Sequence, residues 1–456
     1  MAKSKHDCFY LLTLGCPKNL VDSEGMSELL ADRGYRTTDE PERADYLIVN
    51  TCGFLETAKA EAIDTLRELA ANKRPGQRLI AAGCLAQRAG ADLAHQVPGL
   101  DGIIGIRSWS DIAHFLEELS ASHRRELHLH LPETGNVPVE RVPLRRSDQG
   151  PRASAYLKIG DGCSAPCAFC AIPRIKGPAR SRPRNMILCE AQALVVHGAQ
   201  EIILIAQDTT AYGRDRGEAH GLPALIEDLL HATPDLRWLR LMYTYPGHGD
   251  QQLVEVMANH SQVCHYLDMP LQHGHPDALR RMRRPHNVER VLRWIESLRS
   301  AMPDITLRTT FIVGYPGETE AEFQSLLEFM RTVQFDRVGI FPFSPEPGTA
   351  AYDLPHQVPD EVKEARYQQA MEQQQAFSLT RNQAQIGRTL EVLVEGVGDG
   401  VSVARSYRDA PEIDGFVLIE EALPVDQMLP VVVTGATVYD LIAVSNTQAS
   451  GKGTIQ

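Results

Sequence analysis

The chain has 456 residues, 43% hydrophobic and 23% charged, which excludes wholesale disorder and is enough for two to four domains. Forty-six lysines and arginines against 59 aspartates and glutamates leave a formal charge of −13, which excludes a protein that coats nucleic acid indiscriminately. No run nears the roughly 18–20 apolar residues of a membrane-crossing helix, and the opening MAKSKHDCFYLLTLGC reads as a first strand, not a secretory signal. The expected setting is cytoplasmic and reducing. Nine cysteines are there thiols, metal ligands or catalysts, not a disulfide framework.

In chain order, three apolar strand-like runs come first, and each leads into a cysteine: Cys16, Cys52 and Cys84. Helical patterns lie between them, over 23–34 and 57–72. This βα rhythm predicts a parallel-sheet α/β domain over 5–135, with all strand C-terminal ends on one edge. The three cysteines should therefore converge. Three thiols without a fourth suggest a cluster with one open metal corner, although each taken singly is also an ordinary buried thiol. The polar, Pro-bearing and basic stretch 136–152 reads as a linker.

Strand runs resume at 155–160, 201–207, 236–243, 266–270, 306–313 and 337–343, separated by helical runs. Six such units predict an open (βα)6 barrel over 153–380 whose working edge is again the strand C-terminal ends. That edge would carry Cys163, Gln207, Asp208, Tyr243, Gln272 and Gly314. A charged, Gln-rich helix over 360–385 reads as a connector. The Val-rich tail, 383–446, alternates in short runs at 389–395, 415–419 and 430–434, which predicts a small β-barrel. The whole is an α/β fold class with three domains.

Cys163, Cys167 and Cys170 form C-x3-C-x2-C on the loop after the strand at 155–160. No fourth cysteine sits close, and Cys189 falls in a helical pattern as an expected buried thiol. Three cysteines around a four-iron cluster would leave one iron without a protein ligand; a zinc loop completed from a distance is the alternative. The spacing, with Phe169 before the last cysteine, resembles the radical S-adenosylmethionine superfamily. There the free iron chelates S-adenosylmethionine, whose reductive cleavage gives a 5′-deoxyadenosyl radical.

Two three-cysteine sets in this order, followed by a small β-barrel, resemble the methylthiotransferases, which join an auxiliary-cluster domain, a radical S-adenosylmethionine domain and a TRAM domain. The likeness covers nearly the whole chain. TLGCPKNLVDSE (13–24), NTCGFLETAK (50–59), GCLAQR (83–88), DGCSAPCAFC (161–170), MPLQH (269–273), RTTFIVGYPGET (308–319) and DAPEIDG (409–415) are similar to the branch that acts on small-subunit ribosomal protein twelve. Two places depart from the family's text: His275 stands after Gly274, and FPFSPEPGTA (341–350) is Pro-richer than expected. Both bear on local pocket shape.

The resemblance implies β-methylthiolation of an aspartate in that protein. Cys163, Cys167 and Cys170 would hold the 4Fe–4S cluster that binds S-adenosylmethionine, and Cys16, Cys52 and Cys84 the auxiliary 4Fe–4S cluster. It further implies S-adenosylmethionine contacts at Phe169, Gln207, Asp208, Gln272 and Gly314, together with an electron donor and a sulfur donor. The tail carries ten carboxylates against Arg388, Arg405 and Arg408. That charge would repel RNA and attract a basic ribosomal protein, so RNA is not the expected substrate. A transfer RNA methylthiotransferase and a non-catalytic iron–sulfur carrier are the alternative readings.

Overall fold

Runs buried at every position, with no polar alternation, mark strands covered on both faces. Tyr46–Thr51 and Glu201–Ile205 are such runs, and each lies inside a six-stranded parallel sheet. The structure, a computed structural model, describes residues 7–121, 126–133, 135–139, 152–247 and 251–445. Most of the expected linker, 140–151, lies outside the described residues.

The first sheet is built from β1 (Cys8–Thr13), β2 (Arg36–Thr37), β3 (Tyr46–Thr51), β4 (Arg78–Ala82), β5 (Gly102–Gly105) and β6 (His128–His130), in the order β2-β1-β3-β4-β5-β6. Helices α1 (Pro17–Asp32), α2 (Glu56–Asn72), α3 (Gly83–Ala89), α4 (Asp92–Gln96) and α5 (Ile112–Ala121) connect its strands. The first helix starts six residues before its expected position. Cys16 caps it in an extended conformation and Pro17 occupies N1, where a missing N–H costs nothing.

The second sheet comprises β7 (Ser154–Lys158), then, after the short antiparallel pair β8 (Gly160–Asp161) and β9 (Arg180–Ser181), β10 (Glu201–Ile205), β11 (Trp238–Leu241), β12 (Val263–Asp268), β13 (Thr306–Val313) and β14 (Arg337–Pro342). Its order, β14-β13-β12-β11-β10-β7, is that of an open six-stranded barrel. The helices α6 (Ile172–Lys176), α7 (Arg184–Val196), α8 (Gly221–Ala232), α9 (Gln251–Asn259), α10 (Pro276–Arg281), α11 (Val288–Ala301) and α12 (Glu320–Val333) lie between its strands. Cys189 is exposed on α7, contrary to the sequence expectation. That helix buries Ile187, Glu190 and Ala191, and position 189 falls on the opposite side of a 3.6-residue turn.

The connector α13 (Asp360–Gln383) buries a polar stripe of Lys363, Arg366, Gln374, Ser378 and Asn382. Hydrogen bonds satisfy it: Arg366 pairs with Glu318 at 2.6 Å, Gln374 donates to the Phe335 carbonyl, and Asn382 donates to the carbonyls of Thr437 and Val438. The tail closes into a five-stranded barrel of β15 (Thr389–Gly398), β16 (Val401–Ser406), β17 (Val417–Ile419), β18 (Met428–Ala436) and β19 (Leu441–Ser445). Among the described residues no helix is long and apolar enough to cross a membrane.

The tail barrel docks where the strands of the radical domain begin. Fully buried Glu201, the first residue of β10, binds Arg240 at 2.7 Å and Arg405 of the tail at 2.6 Å. Asp409 binds Arg337, Arg408 binds Asp336, and Asp414 accepts from the Tyr266 hydroxyl. The DAPEIDG segment is thus a plug in the barrel floor. Asp409, Asp414 and Glu391, which pairs with Arg237, are committed to docking. Glu395 pairs with Arg405 at 2.6 Å, while Asp399, Glu412, Glu420 and Asp426 still face outward, with Arg388, so the outer face is acidic.

Candidate functional site

Each residue of the first triad is set by the end of a strand. Cys16 follows β1 and its carbonyl accepts from Asn19 and Leu20 to start α1. Cys52 directly follows β3, and Cys84 is the second residue of α3, two residues past the end of β4. Because β1, β3 and β4 are neighbours, the three thiols share one edge. A Cβ on Gly15 would lie 2.9 Å from Cys52 Sγ, and Cys84 interacts electrostatically with both Cys16 and Cys52. Burial pushes the Cys84 thiol up to about 12 and raises that of Cys52.

Gly83 makes this approach possible at φ +94, where a Cβ would stand 2.2 Å from Asn50 Oδ1 and 2.8 Å from the Thr51 carbonyl. Gly83→Ala is therefore expected to lower stability by about 1–3 kcal/mol and to displace Cys84. Thermal melting with iron analysis checks this: both the melting temperature and the iron content should fall.

The second triad lies on the loop between β8 and α6. Gly162, at φ +73, turns the chain under Pro178. The loop is pinned by Cys163 N–H to the Gly177 carbonyl, Ala168 N–H to the Met282 carbonyl and Ala351 N–H to the Ala168 carbonyl. Burial pushes the thiols of Cys163 and Cys170 up to about 11 and 12. Arg284 lies 3.5 Å from Cys167 Sγ, stacks 4.2 Å from the Tyr245 ring centroid and donates to the Pro270 carbonyl.

Between the triads runs a buried charge lattice. Lys158 of β7 binds Asp22 of α1 and, at 2.9 Å, Asp161. Lys176 binds Asp161 at 2.9 Å and lies 3.9 Å from Asp22. Desolvation alone would raise Asp161, but Lys158 and Lys176 hold its carboxyl below its ordinary range. Desolvation opposes charge on Lys176 too, yet Asp161, Cys84, Asp22 and Cys16 together raise it. Burial pushes Lys18 down to about 8 against the pull of Cys16.

These features fit iron–sulfur clusters. Lys18, Lys158 and Lys176 outnumber Asp22 and Asp161, so an anionic group between them is favoured, and three thiolates around an oxidised four-iron core supply one. Three thiolates on one zinc would sit about 3.8 Å apart. Among the described residues neither triad brings its sulfurs within 4.8 Å of one another. His275, Asp277 and Glu322 do gather that closely, but Arg280 and Arg281 already bind both carboxylates.

The expected S-adenosylmethionine contacts fall at the barrel mouth. Gln207, just past β10, has a buried Oε1 without a hydrogen-bond partner, which suits an incoming ammonium. Gln272, past β12, is held at φ +76 between the Thr310 carbonyl and Ile312 N–H, a conformation rare outside functional or turn positions. Asp208 caps the turn at 209–211, accepting from Ala211 N–H and Thr210 Oγ1. Phe169 packs on the cluster of Met282, Tyr315 and Phe343. Gly314 adopts φ +70 against the Lys363 stem and donates to Glu318 at 2.5 Å.

The two departures from the family's text have structural places. His275 caps α10, accepting from Asp277 N–H. In FPFSPEPGTA, Glu346 binds Arg88 at 2.9 Å and Lys59 at 3.2 Å, clasping the two α/β domains. Sequence reasoning missed Lys18, Asp22, Lys158, Asp161 and Arg284. Lys18 and Asp22 sit inside the TLGCPKNLVDSE motif and Asp161 opens DGCSAPCAFC, so the motifs held the signal. A cavity of about 610 Å3 between α1, the start of β7 and Glu412 lies at the other end of the strands from both triads.

An open parallel barrel with a three-cysteine loop at its mouth, beside a second sheet with three cysteines on its edge, defines a radical S-adenosylmethionine enzyme with an auxiliary cluster. Family models match at residues 8–105 (uncharacterized protein family UPF0004), 157–330 (radical SAM superfamily) and 386–445 (TRAM domain). The chain is 50% identical to the ribosomal protein uS12 methylthiotransferase RimO of Chloroflexus aurantiacus, over 95% of this chain and 98% of that protein. It is 47% identical to the RimO of Herpetosiphon aurantiacus, with the same coverage. In fold it resembles the radical S-adenosylmethionine methyltransferase TsrM from Kitasatospora setae, with TM-score 0.57 and 14% identity over 76% of this chain and 75% of that one. The chain belongs to the ribosomal protein uS12 methylthiotransferase family.

Proposed function

We infer that the enzyme replaces a β-hydrogen of an aspartate in ribosomal protein uS12 with a methylthio group. The observation that carries this reading is the pair of cysteine triads joined by one buried charge lattice, in a chain about half identical to uS12 methylthiotransferases over nearly its full length. Cys163, Cys167 and Cys170 would hold the cluster that binds S-adenosylmethionine, and Cys16, Cys52 and Cys84 the auxiliary cluster. When bound, these groups supply the one-electron chemistry that an unactivated C–H bond requires, together with the sulfur and methyl to be transferred.

The chain's own residues position these groups. Arg284 fixes the Cys167 side of the loop against Tyr245 and Pro270. The unmet Oε1 of Gln207 would accept from the methionyl ammonium. Gln272 would face the ribose, the Gly314 backbone the adenine and Phe169 the cluster side, while Asp208 holds the turn that carries Gln207. Lys158 and Lys176 keep the two domains in register, so that the triads stay a fixed distance apart.

The outward acidic face of the tail suits a Lys/Arg-rich ribosomal protein and disfavours RNA. An electron donor and a sulfur donor complete the reaction, and a ribosomal substrate places it in the cytoplasm. For the division of the chain we propose 5–135, 153–380 and 383–446, with 136–152 between; separate apolar clusters in the first sheet, the barrel and the tail support it. The test is mass spectrometry of uS12 from cells with and without the gene. The expected result is loss of one methylthio substitution from an aspartate; an unchanged uS12 mass overturns the reading.

A further inference from the structure

Lys18 has no carboxylate partner, although it is buried. It lies on the first turn of α1 and is 8% exposed, with Nζ 3.1 Å from the ring centroid of Tyr243 across the domain boundary. Three other buried cations are matched by carboxylates: Lys158 and Lys176 share Asp22 and Asp161, and Arg308 binds Asp268 at 2.8 Å. The two carboxylates that act electrostatically on Lys18, Asp161 and Asp268, are therefore committed elsewhere. Asp268 also accepts from Tyr243 N–H at 3.1 Å. Among the described residues no carboxylate pairs with the Lys18 ammonium within 4 Å; the Tyr243 ring is its contact.

A second feature points the same way. Tyr243, past the end of β11, is held at φ +60, and its carbonyl accepts from Thr209 N–H. The backbone thus spends conformational strain to keep that ring under the ammonium at the barrel mouth. Tyr245, two residues on, reaches Arg284 and so the second triad. Lys18 itself stands two residues from Cys16 of the first triad. A buried cation between the two triads that no carboxylate of the chain meets offers a place to an incoming anion.

We propose that Lys18 is a specificity-determining residue whose ammonium receives the side-chain carboxylate of the substrate aspartate, presenting its β-carbon between the two triads. This rests on the uS12 reading given above. The ion pair would form inside a water-poor site, where a charge-assisted hydrogen bond discriminates strongly between a carboxylate and a neutral amide. A ribosomal aspartate would be accepted and an asparagine at the same place refused.

The test uses the reconstituted full-length enzyme as wild type, Lys18→Met and Lys18→Arg. The probes are uS12 with its native aspartate and uS12 with that residue changed to Asn. Binding is measured by titration alongside methylthiolation, with iron content as a check on assembly. The expected result is about 10–100-fold weaker binding of native uS12 by Lys18→Met, with partial rescue in Lys18→Arg. The Asn form should bind wild type as weakly as native uS12 binds Lys18→Met, and should lose nothing further in that variant. Equal losses on the Asp and Asn forms overturn the assignment, and so does wild-type enzyme that binds both forms alike, which holds even if Lys18→Met fails to fold. Wild-type enzyme that leaves native uS12 unmodified instead overturns the functional reading itself.

Discussion

Replacing Cys163, Cys167 and Cys170 together by alanine is expected to abolish reductive cleavage of S-adenosylmethionine and to remove about half the iron, from about eight atoms per chain to about four. The two triads sit on different sheets and different loops, so one set can be lost without unfolding the edge that carries the other. The reciprocal change at Cys16, Cys52 and Cys84 should also halve the iron, leave cleavage in place and stop sulfur insertion. Iron analysis and detection of 5′-deoxyadenosine read both arms. Full iron after the first triple change would show that those three thiols hold no cluster.

The second large effect is expected at Glu201. Its carboxylate is fully buried, takes Arg240 from its own domain and Arg405 from the tail, and accepts from Ser154 Oγ at 2.8 Å. Desolvation would raise this acid, but Arg405 and Arg240 overcome that and hold it down at about 2. Since the folded value lies below the ordinary 4.5, the pairing stabilises the protein fully above about pH 4.5. That contribution, about 3 kcal/mol, is lost as pH falls toward 2. Glu201→Gln leaves Arg240 buried without its anion and Arg405 with Glu395 alone, and should cost about 3–5 kcal/mol at neutral pH. Denaturant titrations at pH 7 and between pH 4.5 and 3 check it: the variant should be less stable at pH 7 and should lose less on acidification. Limited proteolysis should release the tail barrel from the variant first.

The βα rhythm and the cysteines at strand ends were legible because a parallel sheet has one rule for where its strand ends lie. Six barrel strands followed from apolar runs of ordinary length. β2, β5 and β6 did not, since two to four residues give no period to read. In the tail, β16 and β19 escaped for a related reason, as Ser, Arg and Ala interrupt their apolar runs. Asp22 and Lys158 meet across 136 positions of sequence, and nothing in either neighbourhood announces the other. Glu201 and Arg405 are a similar case, joined only once the tail has closed. The polar inner face of α13 read only as that of a connector, because only packing reveals that its Arg366, Gln374 and Asn382 have partners waiting.

The plug of the tail barrel bears on how a substrate must be shaped. Gln200, Arg237, Asp304 and Asp336, each just ahead of a strand, hold the tail, whereas the thiols stand beyond the far ends. β13 alone has eight residues, roughly 26 Å at 3.3 Å per residue. A protein gripped by the acidic barrel while its aspartate enters the mouth must bridge that depth with about eight residues of outstretched chain. A rounded molecule with a shallow bend could not do so; one with a long protruding finger could.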